Sequence, residues 1–112
     1  MSEPATVPEA SVDELARHLD AGGLLLDVRN PDEWVAQRVP GVPLIPLAEL
    51  AERIDDVPRP TDGGRLLVIC RTGARSARAV RFLRDQGLDA VNVAGGTVAW
   101  VDAGRPVDAG PG

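Results

Sequence analysis

The sequence contains no lysine: all 12 of its basic residues are arginine. That excludes a Walker-type phosphate lysine, a Schiff-base lysine and a pyridoxal lysine. With one cysteine, Cys70, and one histidine, His18, the chain cannot build a Cys/His zinc site, a CxxC redox pair or an internal disulfide. Neither a metal nor a cofactor is expected. Two tryptophans, one phenylalanine, no tyrosine and a formal net charge of −5 argue against a nucleic-acid surface, which needs basic patches and stacking platforms. Long apolar runs are also missing. Leu24-Leu25-Leu26 and Leu66 to Cys70 are far shorter than the roughly 20 residues that span a bilayer. No membrane contact is expected. Met1 to Ser11 has neither the basic nor the apolar region of a secretory signal, which makes the cytoplasm the default compartment.

What is present fits one globular domain: 112 residues, 11.8 kDa, 44% apolar and 26% charged. It is expected to fill residues 1–112, with flexible ends at 1–10 and 108–112 and room for a short strand near Val7. Ser11 and Glu14 form a capping box, and Val12, Leu15, Ala16 and Leu19 repeat at helical spacing, so a helix is predicted over 12–21. Leu24 to Val28 reads as a strand buried on both faces. Pro31 and Glu33 open a second helix running to about Arg38. Leu44-Ile45 offers a short strand, Leu47 to Ile54 a small amphipathic helix, and 55–64 a loop. The clearest strand is Arg65 to Cys70, followed by a long helix from Ser76 to Gln86. Ala90 to Val93 is a further strand, and Thr97 to Ala103 a last short helix. This alternation implies right-handed crossovers and a parallel sheet covered on both faces, with any ligand beyond the carboxyl ends of the strands.

Cys70 lies at such an end, between the strongest strand and the strongest helix. Loop amides, the helix amino end, and the charges of Arg71 and Arg75 would all favour its thiolate. The same pocket would hold a small oxyanion beside the nucleophile, because arginine forks match sulfonyl and phosphate oxygens. Gly73 lets the loop turn and its backbone come close.

Five segments in order resemble the successive signatures of the single-domain rhodanese family. They are Asp27-Val28-Arg29, Glu33-Trp34, Pro40-Gly41-Val42 with Ile45-Pro46-Leu47, Val68 to Ser76, and Val93 to Trp100. The resemblance spans roughly Ser11 to Val107. It implies a rhodanese-like α/β three-layer sandwich, its central, mostly parallel sheet of about five strands flanked by helices on both faces. It also implies a sulfurtransferase, in which Cys70 takes the sulfane sulfur of thiosulfate or a persulfide donor. The resulting persulfide passes its outer sulfur to cyanide, a thiol or a sulfur-carrier protein. In that scheme Arg71, Thr72, Gly73, Ala74 and Arg75 bind the small anionic donor and the persulfide, and Asp27, Arg29 and Ser76 support them.

The loop from Cys70 to Arg75 has six residues, one fewer than in the dual-specificity phosphatases and arsenate reductases of this fold, which disfavours those activities. A non-catalytic module of the same family, binding a partner or an anion in the same pocket, is the alternative from another class. The chain departs from the family at Gln37-Arg38, where a Gly-His pair is usual, so the loop there is expected to differ in shape. Arg78, Arg81 and Arg84 read as a solvated helix face, His18 as a surface residue, and Trp34 and Trp100 as packing residues.

Overall fold

A computed structural model describes residues 7–61 and 63–111. Residues 1–6 of the expected lead, residue 62 of the expected loop and residue 112 of the expected tail lie outside the described residues. Four strands form one wholly parallel sheet: β1 (Glu9–Ala10), β2 (Leu24–Asp27), β3 (Leu66–Ile69) and β4 (Ala90–Val93), in the order β1-β4-β3-β2. Four helices cover it: α1 (Val12–Asp20), α2 (Pro31–Ala36), α3 (Ala74–Asp85) and α4 (Gly96–Asp102).

Alternation along β3 divides the core in two. Leu66, Val68 and Cys70 pack with Ala79, Val80 and Leu83 of α3, whereas Leu67 and Ile69 pack with Leu15 of α1 and Trp100 of α4. Cys70 thus ends the strand with its side chain turned towards α3. The capping box of α1 is formed, with Glu14 N donating to Ser11 Oγ at 3.1 Å and Ser11 N to Glu14 Oε1 at 3.0 Å.

The structure differs from the sequence reading in several places, each with a physical cause. The fifth strand shrinks to a single parallel bridge between Leu44 and Asp27. Pro43 and Pro46 flank that bridge, and proline has no N–H with which to extend a ladder. Residues 47–56 form two 3₁₀ turns, Leu47–Glu49 and Ile54–Asp56, in place of one helix; Leu50 is still buried. α3 begins at Ala74, two residues early, because Gly73 at φ 111° makes the left-handed turn that starts it. His18 is half-buried and not on the open surface. Its imidazole lies against Gly23, where no Cβ intervenes, and its Nε2 is 2.8 Å from Leu24 O.

The largest difference concerns Arg38 and the carboxyl end. α2 stops at Ala36 because the backbone of Arg38 pairs antiparallel with Asp108, each amide donating to the other's carbonyl at 2.9 Å. The Arg38 side chain is buried, stacks 3.8 Å from the centroid of the Trp34 ring, and donates to Trp34 O at 3.1 Å and Gly110 O at 2.6 Å. Gly110 N donates to Val35 O at 2.8 Å. Residues 108–110, expected to be a flexible end, are therefore strapped across α2. Trp100 is buried in the core, its Nε1 donating to Pro106 O at 2.7 Å just before this strap.

Arg38→Ala removes two charge-assisted hydrogen bonds and a cation–π stack, so it should lower unfolding stability in urea by about 2 kcal/mol. Amide exchange at Asp108 and Gly110 should accelerate with it. Unchanged exchange at those two amides would mean that the strap is held without Arg38.

Candidate active site

Cys70 is 1% exposed and sits where β3 gives way to the loop entering α3. The loop is turned by two sets of hydrogen bonds that sort its polar groups. On the outside, Thr97 N and Oγ1 donate to Cys70 O at 2.9 and 3.2 Å, and Val98 N donates to Arg71 O at 3.1 Å. The free amides that begin α4 thus take the carbonyls that begin the loop. On the inside, Gly73 N donates to Cys70 Sγ at 3.1 Å, and Ser76 Oγ lies 3.2 Å from the same sulfur.

Gly96 makes this arrangement possible. Its φ is +58°, and a Cβ there would collide with the carbonyl oxygens of Cys70 and Arg71. The Gly95-Gly96 pair is therefore a backbone-to-backbone contact at the site as well as a turn.

Burial opposes ionisation of Cys70. Hydrogen bonds from the Ser76 hydroxyl and from the amides of Ser76, Gly73 and Thr72 outweigh it, holding the thiol below its ordinary range. The direction expected from the sequence is the one found; the loop amides invoked there contribute, joined by the Ser76 hydroxyl, which was not foreseen as a donor.

The two loop arginines have different surroundings. Arg75 is engaged: its two terminal nitrogens donate to the two carboxylate oxygens of Glu33 at 2.7 and 2.8 Å, a bidentate pair joining α3 to α2. Through those bonds Arg75 draws the Glu33 carboxyl down to about 2 from 4.5, with the Asn30 amide assisting. Arg71 is exposed and has no ion-pair partner among the described residues. Thr72 and Ala74 are exposed on the loop, and Gly73 is half-buried.

Asp27 and Arg29 are both buried and form an ion pair. Arg29 Nε and Nη2 donate to the Asp27 carboxylate at 2.8 to 3.0 Å, and Nη2 also reaches Gln37 O at 2.7 Å. This ties the end of β2 to the end of α2. A cavity of about 320 Å³ lies between α2 and α4, with Arg29, Glu33, Gln37, Arg71, Thr97 and Val98 among its lining residues. Among the described residues there is no group of three side chains suited to hold a metal.

Sequence reasoning did not find Glu33 as the partner of Arg75, nor the roles of Gly96, Thr97 and Asn92. Glu33 had already been explained as a capping residue, a role it also fills by accepting from Asn30 N at 3.1 Å. Asn92 did carry a signal, as the one polar residue in the otherwise apolar β4.

Residues 11–103 match the Rhodanese-like domain family. A sulfurtransferase from Allochromatium vinosum is 34% identical over 75% of this chain and 77% of that protein. The putative sulfur carrier protein YrkF of Bacillus subtilis is 32% identical over 86% of this chain but only 52% of its own length, so the chain spans about half of that relative. A rhodanese-related protein from Thermoplasma volcanium superposes with a TM-score of 0.81 at 36% identity, over 90% of this chain and 97% of that one. The chain belongs to the rhodanese family.

Two outcomes follow from this geometry. Glu33 titrates lower in the folded than in the unfolded chain, so its contribution to stability is present above about pH 4.5 and is lost as pH falls towards about 2. Glu33→Gln should therefore cost about 1–2 kcal/mol in urea unfolding at pH 7, a figure reduced for partial exposure, and the gap to wild type should close at pH 2. Gly96→Ala should cost about 2–3 kcal/mol and slow alkylation of Cys70, because the loop carbonyls must move away from the new methyl group.

Proposed function

We propose that this chain is a sulfurtransferase that works through a persulfide on Cys70. The observation that carries the reading is the set of donors around Sγ, supplied by a loop of six residues from Cys70 to Arg75 and by Ser76. In the first half-reaction the Cys70 thiolate attacks the sulfane sulfur of thiosulfate or a persulfide donor. A new S–S bond forms to Cys70 as the donor's sulfur bond breaks, and sulfite or a thiolate leaves with the electron pair. In the second, cyanide or an acceptor thiolate attacks the outer sulfur, and Cys70 departs as thiolate.

The amides of Thr72, Gly73 and Ser76 stabilise the anionic sulfur in both half-reactions. Arg71, exposed and without a carboxylate partner among the described residues, is the residue that attracts an anionic donor. Arg75, also expected to orient the donor, has its fork filled by Glu33, and we assign it the shape of the cradle. Asp27, Arg29 and Ser76 support the loop. With no second cysteine in the chain, the acceptor is a separate molecule: cyanide, a low-molecular-weight thiol or a sulfur-carrier protein. The names of the Allochromatium and Bacillus relatives are consistent with that reading.

Intact-mass spectrometry after incubation with thiosulfate, or with a glutathione persulfide donor, tests it. Wild type should gain one sulfur, about 32 Da, lose it to cyanide, and gain nothing as Cys70→Ser. If neither donor loads sulfur, the catalytic reading fails, and the pocket is that of a binding module.

A further inference from the structure

The Ser76 hydroxyl has two acceptors and one hydrogen. Its oxygen is 3.2 Å from Cys70 Sγ and 2.5 Å from Asn92 Oδ1, and all three residues are buried. Asn92 cannot turn its amide to donate instead, because its Nδ2 is committed to Gly73 O at 3.1 Å and to Glu9 Oε2 at 3.2 Å. Both partners accept only, so the orientation of the amide is fixed, and Oδ1 must face the hydroxyl as an acceptor. Glu9 and Asn92 are also register partners in the β1–β4 pairing, which holds the carboxylate over the amide.

We infer that Asn92 is a positioning residue that competes with Cys70 for the single Ser76 hydrogen and thereby restrains the sulfur from becoming an anion. When Cys70 is a thiol, its S–H donates to Ser76 Oγ, and the Ser76 O–H donates to Asn92 Oδ1. The Cys70, Ser76 and Asn92 side chains then each have a partner. When the thiol proton leaves to water, the Ser76 O–H must swing to Sγ, and Asn92 Oδ1 loses its only protein donor. Ionisation thus exchanges one buried hydrogen bond for another, and Asn92 sets the cost of the exchange. The Glu9 carboxylate strengthens the restraint by polarising the amide towards a more negative Oδ1.

This deepens the proposed role of Cys70 and rests on it as the nucleophile, yet it concerns proton placement before any sulfur arrives. Its test therefore uses no sulfur donor. The charged groups around Cys70 are Glu9 on β1, Asp27 and Arg29 at the end of β2, Glu33 on α2, Arg71 in the loop and Arg75 on α3. Single substitutions at Asn92 leave all of them in place.

The experiment is the rate of iodoacetamide alkylation of Cys70 against pH, in four proteins: wild type, Asn92→Ala, Ser76→Ala and the double variant. Freed of its competitor, the Ser76 hydrogen should serve Sγ, so Asn92→Ala should alkylate about fivefold faster at neutral pH, the equivalent of one net hydrogen bond. In the Ser76→Ala background the same substitution should have no accelerating effect. If Asn92 only held the loop through Gly73 O, its loss would slow alkylation in both backgrounds; that result, or no change, overturns the inference.

Should Asn92→Ala fail to fold, the exposed Glu9 supplies a second cycle. Glu9→Gln should accelerate alkylation in the presence of Ser76 but not in Ser76→Ala, whereas an equal effect in both would mean plain through-space charge and overturn it. A protein that follows this pattern yet takes up no sulfur would refute the proposed transfer reaction while leaving the competition for the hydrogen standing.

Discussion

The site depends on one contact between two stretches of backbone. The first amides of α4 take the carbonyls of Cys70 and Arg71, at a distance only a glycine at position 96 allows. A peptide plane whose carbonyl is held outward presents its N–H on the opposite side. Anchoring the Arg71 carbonyl therefore turns the Thr72 amide towards the sulfur, and the turn at Gly73 brings the next amide to it. The sulfur gains donors that cannot themselves lose a proton, and the pocket keeps its polarity over a wide range of pH.

The arginines take on the work that this arrangement leaves. In a chain without lysine, each buried cation is a planar fork with several donors, and the structure uses that geometry. Arg29 joins Asp27 to the Gln37 carbonyl, Arg75 grips both oxygens of Glu33, and Arg38 spans two carbonyls while lying on Trp34. All three converge on α2. A helix of six residues, with no buried residue of its own, is thus fixed in place by ions on three sides. Arg71 stays out of this scaffold and is exposed on the loop.

Much of this was legible in the sequence, and what was not shares a cause. β3, β4 and α1 could be read because their signals are local: an unbroken apolar run, or a capping serine with its glutamate three residues on. The cysteine loop could be read because Gly73 and the apolar repeat of α3 bracket it. The pairing of Glu33 with Arg75 is separated by 42 positions, and that of Arg38 with Gly110 by 72. Residue type says that each needs a partner but not which one. Local pattern also misled where proline intervened: Leu44-Ile45 looks like a strand and Leu47 to Ile54 like a helix, yet Pro43 and Pro46 limit the first to a single bridge. Asn92 was the one distant partner with a local mark, a polar side chain in a strand with no exposed face.

The strap over α2 bears on the order in which the chain can acquire its shape. Between Arg38 and Asp108 lie β3, α3, β4 and α4, so the antiparallel bridge closes a loop of chain that holds two of the four strands. Contacts of such separation are made only after the intervening chain has condensed. The sheet and the cysteine loop therefore pack before the strap closes, and α2 is locked down only when residues 108–110 reach it. A chain with its sheet packed and its strap still open therefore has a formed cradle beside an α2 that is unfastened on one side, and α2 is itself a wall of the cavity.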